Sequence, residues 1–265
     1  MPELPDVETF RRYFNRTSLH KKIERIDIGT KEMLKGISSL SLQQNLKNLK
    51  FKKTSRHAKY LFAQTDKGKI LVLHFGMTGS LKYYKKDEER PAHIRMRIDF
   101  ANGYHLAFNC PRKLGSIYLI NDREKFIENK NLGPDPVEDD FSLSGFRKII
   151  EGKRGTIKST LMDQKTISGI GNIFSDEILF NAGIHPATGT EKLNDAQVKK
   201  IYQMIKEVLN KVIDIQADPE KIPATYLYSH RAPGEDCPMC KGKIRKKTIG
   251  GRSSYFCDRH QRKVT

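Results

Sequence analysis

The 265-residue sequence predicts an α+β protein: strands in its first half, helices in its second, and a small cysteine-rich hairpin at its end. Three observations predict it. Residues 22–120 hold short apolar runs separated by hairpin turns, whereas from residue 141 onward the apolar residues recur at helical spacing. Cys237, Cys240, Cys257 and His260 then close the chain. Strands grouped before helices, rather than alternating with them, indicate α+β and not a parallel doubly wound sheet.

The elements follow in order. Val7, Phe10, Tyr13 and Phe14 share one helical face, so a helix is expected from Asp6 to about Asn15, with Pro5 suited to its start. It should bury that face and leave the Pro2–Glu3 tip exposed. Tyr60–Ala63 and Ile70–Phe75 read as strands around Asp66-Lys67-Gly68-Lys69. Ile94–Phe100 and Tyr104–Phe108 flank Asn102-Gly103, the strongest short hairpin signal. Repeated hairpins give a β-sandwich or a barrel. Gly133–Asp140 is acidic and broken by prolines, and is expected to be a linker (133–140) between a first domain, 1–132, and a second, 141–230. Helices are expected at about 142–151, 156–163, 172–182 and 194–214, then an irregular stretch over 215–236 and a finger within 231–265.

Composition narrows the partner. A net charge of +18 suggests a polyanion. No apolar run reaches the length of a membrane span and the N-terminus is not a signal peptide, so nucleic acid is favoured over a membrane. Four cysteines, three of them clustered and Cys110 alone, do not make a secreted disulfide framework. They suggest a reducing compartment, here the cytoplasm with its DNA, and a metal site.

That metal site carries the clearest spacing. Cys237-Pro-Met-Cys240 and Cys257-Asp-Arg-His260 are two ligand pairs sixteen residues apart, suited to one tetrahedral Zn²⁺ held by three thiolates and an imidazole. With no open coordination position, such a zinc is structural. Lys241, Lys243, Arg245, Lys246, Lys247 and Arg252 surround it, which fits a phosphate-binding finger. Lys158-Ser-Thr-Leu-Met-Asp-Gln164 is followed by Gly169-Ile-Gly-Asn172, a Gly-X-Gly turn opening a helix. Backbone N–H groups at such a turn bind phosphate without reading sequence, although Asn172 would serve equally as a helix N-cap. Met77, on the turn of Leu73-His74-Phe-Gly-Met77-Thr-Gly-Ser80, suits either a wedge between bases or a core filler. Cys110-Pro-Arg112-Lys-Leu114-Gly115 pairs a cation with an apolar residue, as a second wedge loop or an ordinary surface turn.

The most telling stretch is the first. Pro2-Glu-Leu-Pro-Asp-Val-Glu8 lies directly behind the initiator methionine. Once Met1 is removed, Pro2 is a secondary amine titrating near pH ~8, able to attack an electrophilic sugar carbon and form an iminium electron sink. Glu3 stands beside it to move protons. With Met1 retained, the same nitrogen is an unreactive amide.

Together these segments resemble the bifunctional DNA glycosylases of the formamidopyrimidine-DNA glycosylase and endonuclease VIII family. The Pro-Glu-Leu-Pro opening is closer to the formamidopyrimidine branch. The resemblance runs nearly end to end, through His74–Ser80, Lys158, Gly169-Ile-Gly-Asn-Ile-Phe174 and Ala182-Gly-Ile-His-Pro186, and ends in the finger. It implies an N-terminal β-sandwich with an N-terminal helix, a helix–two-turns–helix domain, a zinc hairpin, and DNA lying between the lobes. It implies that Pro2 is the nucleophile and Glu3 the general acid/base, with Lys59 near the lesion's phosphates. His74, Asn172 and Arg252 match phosphate contacts, Lys158 a basic position near the same site, and Asp6 the place of a glutamate near the lesion pocket. Met77 would fill the vacated stack, with Arg112 facing the orphaned base and Leu114 beside it. The implied substrate is double-stranded DNA with oxidised bases or abasic sites, handled by a monomer through base excision and β/δ-elimination, with no catalytic metal.

The chain departs from that pattern in four places. His260 replaces the usual fourth cysteine. Leu114 stands where a phenylalanine wedge is frequent, and cannot stack. Cys110 replaces an aspartate and is expected to be a buried structural thiol. Residues 215–236 are short for a long loop capping 8-oxoguanine, so ring-opened purines, oxidised pyrimidines or hydantoins are expected as preferred lesions. Endonuclease VIII-like pyrimidine specificity is one alternative, and a DNA reader that has lost catalysis is another, disfavoured by the intact Pro2, Glu3 and Lys59.

Overall fold

A computed structural model describes residues 1–263 and divides the chain into two compact units, Met1–Lys130 and Asn131–Thr265. The last two residues of the expected finger, 264 and 265, lie outside the described residues.

Helix α1 (Leu4–Ser18) starts two residues before the expected Asp6, because Glu3 takes the N-cap position and Pro5 is accommodated in the first turn. It buries Leu4, Val7 and Phe14. Two four-stranded antiparallel sheets follow. One has the order β1 (Ile23–Ile28), β6 (Ile94–Phe100), β7 (His105–Asn109), β5 (Ser80–Tyr84). The other has the order β2 (Phe51–His57), β3 (Tyr60–Thr65), β4 (Ile70–His74), β8 (Ser116–Ile120). Both hairpins read from the sequence form. Leu61 pairs with Leu73 across the Asp66–Lys69 turn, and Ile98 pairs with Leu106 across Asn102-Gly103. Gly103 takes φ 77°, the left-handed geometry such a turn requires.

The open choice between barrel and sandwich resolves as a sandwich. Alternation in β6 sends Met96, Ile98 and Phe100 inward, where they join Leu61, Leu73, Val7 and Phe14 in one core. The opposite face of β3 and β4 is covered too, since Phe62, Ile70 and Val72 pack with Phe126 of helix α3 (Arg123–Asn129). Burial on both faces explains why Ile70–Leu73 is a continuous apolar run. Helix α3 and helix α2 (Ser39–Leu46) were not expected from the sequence. Each has about two turns and few buried apolar residues, Leu42 and Leu46 in α2 and Phe126 in α3, too few for an apolar repeat to register. Ser38 and Asp122 cap them.

The second unit is helical: α4 (Leu143–Ile150), α5 (Ile157–Met162), α6 (Asn172–Ala182) and α7 (Asp195–Asp214). Phe146, Leu161, Ile178, Leu179, Ile201, Ile205 and Leu209 form its core. Gly183, left-handed at φ 69°, ends α6. The expected linker is not a free connector. The units divide at Lys130, and Gly133–Asp140 begins as part of the second: Gly133 N–H donates to the Gln164 carbonyl (2.8 Å) and Asp135 is 2% exposed. The hairpin β9 (Arg245–Ile249) and β10 (Arg252–Phe256) packs on α6 through Phe180, Leu227, Ile244 and the cysteines.

One contact in the first unit sets two loops side by side. A Cβ on Gly76, whose φ is +59°, would stand 2.4 Å from the Leu114 carbonyl carbon. Loop 75–79 therefore lies backbone to backbone on loop 110–115. Gly76→Ala is expected to cost about 1–3 kcal/mol of stability, from left-handed strain and forced separation of the loops. Chemical denaturation measures it; a wild-type midpoint and slope would contradict the close-contact account.

Candidate active site

The N-terminal tip is less exposed than its sequence suggested. Glu3 is 1% exposed and Pro2 half-buried, while Met1 is 51% exposed. Asp6 explains part of this: its Oδ2 accepts the Glu3 N–H at 2.8 Å, folding the tip back onto the first turn of α1. Burial raises the Asp6 carboxyl above its ordinary range, against the pull of that N–H, the chain's amino terminus and Lys59. Lys59, on the turn between β2 and β3, is brought within electrostatic range of both Glu3 and Asp6. Burial lowers its ammonium pKa and the two carboxylates partly restore it. The turn is fixed from behind. Ala58 is left-handed at φ 54°, and the Arg56 guanidinium donates to its carbonyl at 3.1 Å.

His74 ends β4, its ring 4.8 Å from that of Tyr60. Its Nδ1 faces the Gly76 N–H at 3.3 Å. Burial, then the positive charges of Lys59 and Lys130, push its pKa down to about 4, so at neutral pH it offers a neutral imidazole and no charge. Beyond it lie the two loops pressed together at Gly76. They expose Met77 (39%), Arg112 and Leu114 (51%) on one edge, joined by the Arg112 N–H donating to Thr78 Oγ1 at 3.2 Å. Met77 is therefore no core filler. Cys110 is wholly buried in the sandwich core, as expected of a structural thiol.

In the second unit, Lys158, expected as a basic position near the phosphate contacts, lies in the interior. It is 0% exposed, and its Nζ lies 2.6 Å from Asp176 Oδ1 and 3.1 Å from the Ser253 carbonyl. A phosphate cannot reach an ammonium sealed in this way. Asn172 and Arg252 do lie near each other in the fold: Asn172 Nδ2 donates to the same Ser253 carbonyl at 2.9 Å, next to the exposed Arg252. Asn172 is not the cap of α6. Gly171 holds the N-cap position, which leaves the Asn172 side chain for the finger.

Cys237, Cys240 and Cys257 bring their sulfurs within 4.8 Å of one another. The Cys240–Cys257 separation of 3.6 Å is far beyond a disulfide and close to the edge of about 3.8 Å of a tetrahedron with 2.3 Å Zn–S bonds. Gly242 supplies the cradle: its N–H points at Cys240 Sγ (3.3 Å), and a Cβ there would stand 2.6 Å from Cys257 Sγ. Burial, then the neighbouring thiols, push Cys237 up to about 12, so three thiolates together need a cation. The donor set fits a soft divalent metal. The expected fourth ligand, His260, is not gathered with the three sulfurs; its Nε2 lies 2.9 Å from the Phe180 carbonyl, with its ring against Phe180, which leaves Nδ1 as the nitrogen able to bind a metal.

The residues that sequence reasoning missed are on α6. Asp176 (1% exposed) accepts from Lys158, Arg231, Ser254 Oγ and the Tyr255 N–H. Glu177 (1% exposed) accepts from the Leu227 and Tyr228 N–H groups and from Asn181. The signal was two consecutive carboxylates set between Ile173-Phe174 and Ile178-Leu179-Phe180, which must be paired if that helix is buried all round.

Comparison with known proteins matches this geometry. Residues 1–117 match the formamidopyrimidine-DNA glycosylase N-terminal domain, and residues 132–222 the formamidopyrimidine-DNA glycosylase H2TH domain. The formamidopyrimidine-DNA glycosylase of Haemophilus influenzae is 33% identical, covering 99% of this chain and all of its own. That of Glaesserella parasuis is 35% identical, covering 99% of each. Among solved structures, Lactococcus lactis formamidopyrimidine-DNA glycosylase bound non-covalently to DNA containing an AP site superposes with a TM-score of 0.91. It is 29% identical and covers 99% of this chain and 100% of its own.

Glu177 sets a pH dependence. Burial pushes its carboxyl up to about 7, against the donors that favour the charged form. The unfolded chain releases this proton near pH 4.5, so between there and 7 the folded protein alone holds it. Its stabilising contribution is full below the unfolded value and declines as pH rises through 7, by at most about 1.4 kcal/mol per pH unit. Thermal melts from pH 5 to 8 should show wild type losing stability relative to Glu177→Gln. A constant difference between the two would refute the assignment.

Proposed function

This chain belongs to the formamidopyrimidine-DNA glycosylase family, and we propose from that membership how its own residues perform the reaction. It is a DNA glycosylase of base excision repair with abasic-site lyase activity, acting on double-stranded DNA that carries oxidised bases or abasic sites. The observation that carries the reading is the gathering of Glu3, Asp6 and Lys59 at the amino terminus of α1.

Removal of Met1, half exposed at the surface, frees the Pro2 amine. The damaged nucleotide is flipped out of the duplex. Pro2 attacks C1′ of its sugar and the base departs, with Glu3 moving the protons. The resulting iminium acidifies the C2′ proton, and β-elimination cleaves the strand; a second elimination leaves a one-nucleotide gap. Lys59 supplies positive charge beside the lesion's phosphates. His74 donates a neutral N–H to phosphate, while Asn172 and Arg252 supply phosphate contacts from the second unit. Met77 fills the vacated stack, with Arg112 and Leu114 on the opposite strand. Asp6 acts by holding the Glu3 backbone.

The lesion preference leans to ring-opened purines, oxidised pyrimidines and hydantoins. Supporting this, residues 215–236, expected to be too short for a capping loop, hold short 3₁₀ turns, Pro219–Lys221 and Leu227–His230, the second tied down by Glu177. One structural Zn²⁺ sits on Cys237, Cys240 and Cys257, with His260 completing the set, and locks the finger without entering the chemistry. The enzyme works as a monomer, in the cytoplasm with the DNA.

Borohydride in the presence of 8-oxoguanine, ring-opened purine, oxidised pyrimidine and abasic duplexes should trap a covalent adduct at Pro2, strongest on the non-8-oxoguanine lesions. Glu3→Gln should bind DNA yet lose at least about 100-fold in base excision. Absence of any adduct from Met1-free protein that still binds DNA would instead indicate a non-catalytic reader. For the metal, His260→Ala is expected to lower zinc affinity by about 10–100-fold and His260→Cys to restore it; equal zinc retention by wild type and His260→Ala would remove His260 from the ligand set.

A further inference from the structure

We propose that Lys158 and Asp176 form a positioning latch that aims Arg252 and Asn172, and that Lys158 itself does not touch DNA. The proposal rests on the reading of Arg252 and Asn172 as phosphate contacts.

Four observations meet at this point. Lys158 and Asp176 are 0% and 1% exposed, so neither is available to a ligand. Asp176 takes donors from three separate segments: Lys158 on α5, Arg231 before the finger, and Ser254 Oγ (2.7 Å) with the Tyr255 N–H (3.1 Å) on β10. The carbonyl of Ser253, the residue after Arg252, receives both the Lys158 ammonium and the Asn172 amide. Finally, the hairpin turn is seated on α5 itself, since a Cβ on Gly250 would stand 2.2 Å from Ser159 Oγ, next in sequence to Lys158.

The chemistry follows from the cost of burial. A sealed ion pair adds little to stability compared with apolar side chains of the same volume. What it adds is direction, because an ammonium and a carboxylate accept only a few partner geometries. Here those partners lie on the strand that carries Arg252, and the Ser253 carbonyl that takes the Lys158 ammonium also takes the Asn172 amide. The latch fixes the spacing of the two phosphate contacts before DNA arrives, so binding does not have to order them.

A double-mutant cycle on a duplex carrying a stable abasic-site analogue tests this. Lys158→Met and Arg252→Ala are each expected to weaken binding about tenfold, and the double variant to lose less than the two losses combined, because only the share acting through Asn172 persists once Arg252 is gone. Arg252→Ala should also lower the slope of log affinity against log salt by about 0.9, whereas adding Lys158→Met to Arg252→Ala should leave that slope unchanged. Additive losses, or a further drop in slope, would make Lys158 a phosphate contact and overturn the latch. Wild-type affinity for Arg252→Ala would instead overturn the phosphate reading of Arg252, whatever Lys158→Met does. Should Lys158→Met fail to fold, Ser254→Ala deletes one oxygen from the latch. It should weaken binding about threefold, and that loss must shrink in the Arg252→Ala background; if it persists there in full, the proposal fails.

Discussion

A carboxylate removed from water has to be met by donors, and each half of this protein is organised round one such group. In the first unit it is Glu8 (8% exposed), on the inner side of α1. Burial would raise its pKa, but Arg11, Arg12 and Arg56 hold it below the ordinary range. Arg56, itself 5% exposed, approaches Glu8 at 3.5 Å and donates to the Ala58 carbonyl. One guanidinium thus ties the N-terminal helix to the turn that carries Lys59. In the second unit the group is Asp176, whose donors come from α5, from the segment before the finger and from β10.

These buried charges lie behind the residues assigned to chemistry, not among them. The reactive tip of α1 is held by Asp6 and backed by the sandwich core. Lys59 sits on a hairpin turn that an alanine enters with left-handed geometry, so the turn depends on its support for its shape. The exposed trio Met77, Arg112 and Leu114 depends on Gly76, the residue that lets two loops touch through their backbones. Arg252 stands on a hairpin packed against α6 beside three cysteines that could hold a metal ion. In each case a surface element rests on a buried one, which is how a site keeps its geometry when it binds a large, stiff ligand such as duplex DNA.

Much of the fold was legible in the sequence because it is encoded locally. Asn102-Gly103 demands a tight hairpin, and the β6–β7 pairing follows. The apolar periodicity of α7 runs for 20 residues and leaves no other reading. The two-turn helices α2 and α3 were not legible, since one or two apolar repeats carry no period. Gly133–Asp140 was misjudged as a linker because proline and acidic residues describe exposed chain on average, whereas here Gly133 and Asp135 are captured by contacts with the second unit.

Sequence alone determined the groups available: a Pro2 directly behind Met1, a neighbouring Glu3, thiols at zinc spacing and an excess of positive charge. These depend on residue identity and on distance along the chain, which a one-dimensional record preserves. Only the tertiary structure decided how they are used. It buried Glu3 and Lys158, set Asp6 against the Glu3 N–H and placed His260 Nε2 on a carbonyl. It also placed Met77 beside Leu114 across 37 residues of chain. Whether a lysine meets a phosphate or a buried aspartate depends on desolvation and on partners far away in sequence, and both exist only once the chain has folded.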